Sequence, residues 1–207
     1  SPQILKLLKA IKGQYVLDWQ GIHGISHWAR VWENGMRLAA VTGAKPEVVG
    51  YFALFHDSRR FNEGRDHNHG RRGAELAAQW RGELFDLDDE SFDWLHTACV
   101  HHTDGLMEGD VSLQTCWDAD RLDLERVGIR PQANRLCTDA ARDCIEWASY
   151  RARRFHFDDG MRWISAPKPK LSEPVILPYF RDENERVLTN EDVRYQALTD
   201  GRVEKLH

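Results

Sequence analysis

Residues 48–57 read VVGYFALFHD, eight residues with no charge followed by a His-Asp doublet. The preceding Pro46 suits the first turn of a helix, so the run predicts a helix that is apolar on every side and therefore buried. A carboxylate at the end of such a helix is costly unless it is paired or metal-bound. Adjacent residues on a helix point about 100° apart, so His56 and Asp57 can meet one ion from two directions, or the carboxylate can bridge two. The bland reading is a helix C-terminus whose His favours the dipole.

Working outward, four more segments carry the same residue types. They are HGISHWARV (23–31), DHNHGRRGAE (66–75), VHHTDG (100–105) and CWDADRLD (116–123). Seven of the ten His fall within these segments or the doublet's FHDSRR (55–60). A solvated surface would scatter them. Imidazoles and carboxylates near the ends or on the apolar faces of successive helices converge when those helices pack, as in bundle metal sites.

The rest of the first 155 residues reads as amphipathic helices, and the fold class expected is all-α, a helical bundle over residues 1–157. Residues 2–19 carry apolar positions at helical spacing. Ser26 is the expected N-cap of a helix closed by Gly43. Further helices are expected over 69–84, after Asp88 or Asp89, from about Ser112, and from Pro131 to Phe155. From Asp158 onward, Pro167, Pro169, Pro174 and Pro178 argue against helix. Residues 158–207 are expected to form an extended arm, not an independent domain, lying on the body or on a second copy in a homo-oligomer.

The formal net charge of −5 argues against a broad nucleic-acid surface. No apolar run reaches membrane-spanning length and the N-terminal stretch lacks a signal-peptide core, so the expected location is the cytoplasm. Cys99, Cys116, Cys137 and Cys144 form no C-x-x-C pair and read as small core residues.

With these segments in order, residues 20–128 resemble the HD superfamily of metal-dependent phosphohydrolases, whose pattern is a His, a His-Asp doublet and a distal Asp. Two-metal members add further His between. The resemblance implies metal ligation by His27, His56, Asp57 and Asp120, with His69 in HGRRG and His101 or His102 as the additional donors. HHTDG is similar to the start of the corresponding stretch in HD-GYP phosphodiesterases, but the residues that would complete that signature are missing. The signatures of the alarmone hydrolases are missing too. The implied cofactor is one or two divalent transition metals. The donor set of imidazoles and carboxylates suits Fe, Mn, Co or Ni better than a closed zinc site.

The implied activity is hydrolysis of a small phosphate ester, a nucleotide or related metabolite. Asp57 is the expected bridging or water-orienting group, and Arg60 stands where many members have Lys. Arg59, Arg60, Arg71 and Arg72 are the expected phosphate-holding residues, since Arg presents a bidentate fork to phosphate. Two other readings stay open: a diiron oxygenase on the same fold, and a non-catalytic metal-bound nucleotide sensor. His23 is ambiguous between ligand and loop. His67 is expected at the edge of the site. Asp123 is expected to pair with an Arg or orient a His, and His96 and His156 read as structural.

Overall fold

The computed structural model describes residues 2–156 and the segments Ile176–Arg181 and Val187–Thr189. Eight helices account for most of it: α1 (Pro2–Lys12), α2 (Ile25–Thr42), α3 (Pro46–Phe55), α4 (His69–Trp80), α5 (Asp89–His101), α6 (Val111–Arg121), α7 (Asp139–Asp143) and α8 (Ile145–His156). Two single-turn 3-10 helices, Leu124–Val127 and Ala133–Arg135, link α6 to α7. Ile176–Arg181 and Val187–Thr189 pair as antiparallel strands β1 and β2. The rest of the expected arm, and its contact with the body or a second copy, lies outside the described residues. No helix among the described residues is long and apolar enough to cross a membrane.

The apolar run behaves as its composition demands. Every residue from Val48 to Phe55 is buried, and α3 packs against α2, α4, α5 and α6. Trp28 and Trp32 of α2, Trp117 of α6 and Leu95 and Cys99 of α5 complete the core around it. The helices approach closely because glycine stands where they cross. A Cβ on Gly73 would sit 2.2 Å from the Phe55 carbonyl oxygen, and one on Gly70 would sit 2.2 Å from the Cys99 carbonyl oxygen. Thus α4 lies directly against the end of α3 and the last turn of α5, where the His segments are.

Several boundaries differ from the sequence expectation. Helix α1 ends at Lys12, ahead of Gly13, so 13–19 form turns and not helix. Helix α2 starts at Ile25 with Gly24 as its cap, which places Ser26 inside the first turn. Gly43 closes it in the left-handed conformation at φ 79°, as expected. Helix α4 stops at Trp80, because Arg81 turns extended. The expected long helix from Pro131 is broken into a 3-10 turn, α7 and α8. The cause is a buried carboxylate: Asp118 accepts from Cys137 N (2.7 Å), Thr138 N (2.8 Å) and Thr138 Oγ1 (2.8 Å). Those two amides are thereby taken from any continuous helix, and Thr138 caps α7 instead, accepting from Ala141 N. Asp88 does cap α5, accepting from Ser91 N at 2.9 Å, and Asp110 caps α6.

Candidate metal centre

The site forms where α2, the end of α3, the start of α4, the end of α5 and the end of α6 meet. Helix α3 ends at Phe55, so His56 is its capping residue and Asp57 opens the following turn. That turn aims both side chains inward, and each is buried. His27 comes from the first turn of α2, His69 from the first residue of α4, His102 from the residue after α5, and Asp120 from the last turn of α6.

Two overlapping groups of donors result. His27, His56 and Asp57 form one, and Asp57, His69 and His102 the other. In the first, His27 Nε2 lies 3.0 Å from His56 Nε2, 3.6 Å from Asp57 Oδ2 and 3.4 Å from Asp120 Oδ1. His56 Nε2 is 3.8 Å from each of the same two carboxylate oxygens. In the second, Asp57 Oδ1 is 3.0 Å from His69 Nε2 and 3.7 Å from His102 Nε2, and the two imidazole nitrogens are 2.8 Å apart. Asp57 therefore offers one oxygen to each group. Ligands at about 2.1 Å from a common ion stand about 3.0–3.4 Å apart at octahedral to tetrahedral angles, which is the scale of these separations.

The hydrogen bonds behind the imidazoles determine what they present to the centre. His56 Nδ1 faces the Phe52 carbonyl at 3.1 Å, His69 Nδ1 the Asp66 carbonyl at 2.5 Å, and His102 Nδ1 the Cys99 carbonyl at 2.7 Å. A carbonyl only accepts, so each Nδ1 carries a hydrogen and donates it. His27 Nδ1 donates to Asp123 Oδ2 at 2.7 Å. In its neutral form, each of the four rings turns an Nε2 lone pair inward. At 3.0 Å the lone pairs of His27 and His56 face one another with no hydrogen between them. That arrangement is repulsive until a cation lies among them, and in this respect the residues fit a metal ion.

Protonation follows the same direction. Burial, with the Arg126 charge, holds His27 below the ordinary imidazole range despite Asp123 and Asp120. Burial also takes His56 down to about 3, against the pull of Asp57 and Asp120. For Asp57 burial acts upward but is outweighed by His56, His102, His69 and His27, which hold the carboxyl well below its usual range. Asp120 is likewise lowered, burial being outweighed by His56, His27 and His102. Neutral His27 and His56 with ionised Asp57 and Asp120 are the forms that ligate divalent ions. His102 moves the other way: burial lowers it, but Asp57 and Asp120 together raise it.

A buried chain of charges orients His27. Asp123 accepts from Arg30 Nε at 2.5 Å and Arg30 Nη2 at 2.9 Å as well as from His27, so it both pairs with an Arg and orients a His. Arg126 donates to the Ile22 and Asp123 carbonyls. The role of Arg30 carried no local sequence signal, because Asp123 lies 93 residues along the chain.

Other expected residues fall elsewhere. His101 is on the neighbouring face of α5, partly exposed and bonded to Asp104 at 2.7 Å, and it is His102 that joins the cluster. Adjacent helical residues diverge by about 100°, so only one of the two can face inward. Arg60 is buried and turned into the cluster. Its Nη1 lies 3.3 Å from Asp57 Oδ1 and 3.2 Å from His69 Nε2, and its Nη2 donates to the Gly64 carbonyl at 2.6 Å. Arg59 reaches Gln14 Oε1, Arg72 pairs with Asp66 and lies over the Phe61 ring, and Arg71 is exposed. The structure thus does not gather the four Arg residues around one point. His23 is outside both donor groups; its Nδ1 sits 2.5 Å from Glu63 Oε2. Glu63, in a loop rich in Gly and Asn, was not singled out by sequence. His67 is exposed, Cys99 and Cys116 are core residues, and the His156 side chain lies outside the described residues.

Compared with known proteins, the chain matches no family model, no curated protein and no solved structure. Fold and site geometry therefore carry the functional argument.

Proposed function

We propose that this protein is a metal-dependent phosphohydrolase of HD-superfamily type, acting on a small phosphate ester. The observation that carries the metal-dependent part is the facing pair of lone pairs on His27 and His56, each fixed by an occupied Nδ1 and flanked by Asp57 and Asp120. His27, His56, Asp57 and Asp120 would hold the ion. When bound, it supplies Lewis acidity toward a phosphoryl oxygen and activates water for attack. The order of donors along the chain, a His, a His-Asp doublet and a distal Asp, supports the family reading by analogy.

The chain's own residues do the rest. Asp123 keeps His27 in the tautomer that points Nε2 inward, and the Phe52 carbonyl does the same for His56. Asp57, with one oxygen in each donor group, orients what binds between them. The charge balance favours an anionic substrate: two carboxylates offset one divalent ion, and the buried Arg60 leaves a positive excess. Arg71, two residues after His69 in the first turn of α4, is exposed to anions in solvent but does not share His69's face of the helix.

The test is a screen of metal-reconstituted protein against nucleotides and sugar phosphates, with phosphate release followed anaerobically and oxygen uptake followed in parallel. Phosphate release without oxygen, lost in His56→Ala, supports the proposal. Oxygen consumption with no anaerobic phosphate release would assign the centre to an oxygenase. Neither activity, with metal bound, would leave a sensor.

A further inference from the structure

The two donor groups are not equivalent, and the difference lies in one side chain. In the group formed by His27, His56, Asp57 and Asp120, the inward-facing nitrogens have no hydrogen donor between them. In the group formed by Asp57, His69 and His102, two imidazole nitrogens also face one another, at 2.8 Å, but a cation is already supplied beside them by the chain. Arg60 Nη1 has two hydrogens and two acceptors at hand, Asp57 Oδ1 at 3.3 Å and His69 Nε2 at 3.2 Å. Those are two of the three donor atoms a second ion would use. The guanidinium is anchored behind by its Nε to the Asn62 carbonyl at 3.3 Å and its Nη2 to the Gly64 carbonyl at 2.6 Å. Arg60 is 7% exposed, so solvent does little to screen its charge.

We infer that Arg60 stands in for a second metal ion: the cluster takes one divalent ion tightly at His27, His56, Asp57 and Asp120, and a second at Asp57, His69 and His102 only when the guanidinium leaves. Charge leads to the same conclusion as geometry. Asp57 and Asp120 carry two negative charges, which one divalent ion neutralises. A second divalent ion beside an unmoved Arg60 would bring the buried site to three net positive charges. At the low effective dielectric of an interior that repulsion is large. Arginine stays protonated and cannot relieve it by losing its proton, as a lysine could. The side chain must therefore swing out, giving up its bonds to Asp57, His69, Asn62 and Gly64. Residue 60 thus sets how many ions the centre holds.

This rests on the metal-centre reading above, and the test separates the two. Full-length protein, stripped of metal, is titrated with Mn²⁺ while bound ions are counted by elemental analysis and by electron paramagnetic resonance. The wild type should take up one Mn²⁺ per chain with the signal of an isolated ion. Arg60→Gln, which removes the charge, should take up two. Its second ion should bind at least about tenfold more tightly than any second ion in the wild type, and the isolated-ion signal should give way to that of a coupled pair. Arg60→Gln combined with His69→Ala should return to one ion, which locates the gain. Two ions of similar affinity in the wild type would overturn the inference and leave the metal centre standing. So would a folded Arg60→Gln variant, checked by circular dichroism, that still binds one. No binding by the wild type would overturn the metal centre and this inference with it.

Discussion

Replacing Gly70 by Ala tests whether the close crossing of α4 on α5 is what seats the cluster. The added Cβ would lie 2.2 Å from the Cys99 carbonyl oxygen, 2.9 Å from His102 Nδ1 and 3.0 Å from His102 Cε1. Ordinary contact begins at 3.4 Å, so the helix must retreat by about 1 Å from a backbone atom that cannot rotate away. Overpacking of this kind costs about 1–3 kcal/mol, and a backbone clash belongs at the upper end. For a chain of this size, 3 kcal/mol lowers Tm by about 6–12 °C. The same retreat moves His69 on α4 away from His102, whose Nδ1 bond to the Cys99 carbonyl is the one struck. Thermal unfolding of the metal-free protein, followed by circular dichroism beside Gly13→Ala, measures the effect. A Cβ on Gly13 meets nothing closer than 3.6 Å, so that variant should change Tm little. A Gly70→Ala protein as stable as the wild type would refute the packing argument.

Asp123→Asn should weaken divalent-ion binding by about 10–100-fold through loss of His27 orientation, measured by metal competition with a chelator. It should also cost about 3–5 kcal/mol by leaving Arg30 buried beside a neutral group. Burial raises the Glu33 carboxyl to about 6 even though Arg151 pulls it down. A raised carboxyl pKa means the native state holds the proton more tightly, so this group's contribution is full below about 4.5 and is lost as pH rises through about 6, on the order of 2 kcal/mol. Urea titrations at pH 4.5 and 6.5 should show that slope in the wild type and a flatter one in Glu33→Gln; equal slopes would count against it. Cys116→Ala should leave metal content unchanged by elemental analysis, because Cys116 is a buried core residue outside both donor groups.

The fold was legible where a single local pattern decided it. An uncharged run such as 48–55 has nowhere to go but the interior, and the Gly43 and Asp88 boundaries obey backbone chemistry that any chain shares. The break of the expected helix after Pro131 was not legible, because its cause is Asp118, some twenty residues away. The site divides in the same way. His27, His56, Asp57, His69 and Asp120, with His101 or His102, were named through the resemblance in residue type and order, and the structure brings the first five together with His102. The choice of His102 over His101 depends on the rotation of α5 about its axis, which Phe52, Cys99 and the α4 crossing determine. The inward turn of Arg60 depends on two loop carbonyls, at Asn62 and Gly64, that no residue pattern announces.

Metal content reads out whether the buried His and Asp side chains hold an ion. Untagged protein is exchanged into a metal-free buffer, and its divalent ions are counted by elemental analysis beside Asp57→Ala and Asp120→Ala. Each variant removes a ligand and a negative charge at once, which metal binding can least tolerate. A divalent transition metal should be bound to the wild type at one ion per chain and largely lost from both variants, with their helical circular dichroism retained. A wild type without metal that also fails to take any up, or variants that hold as much as the wild type, would contradict the metal-centre reading.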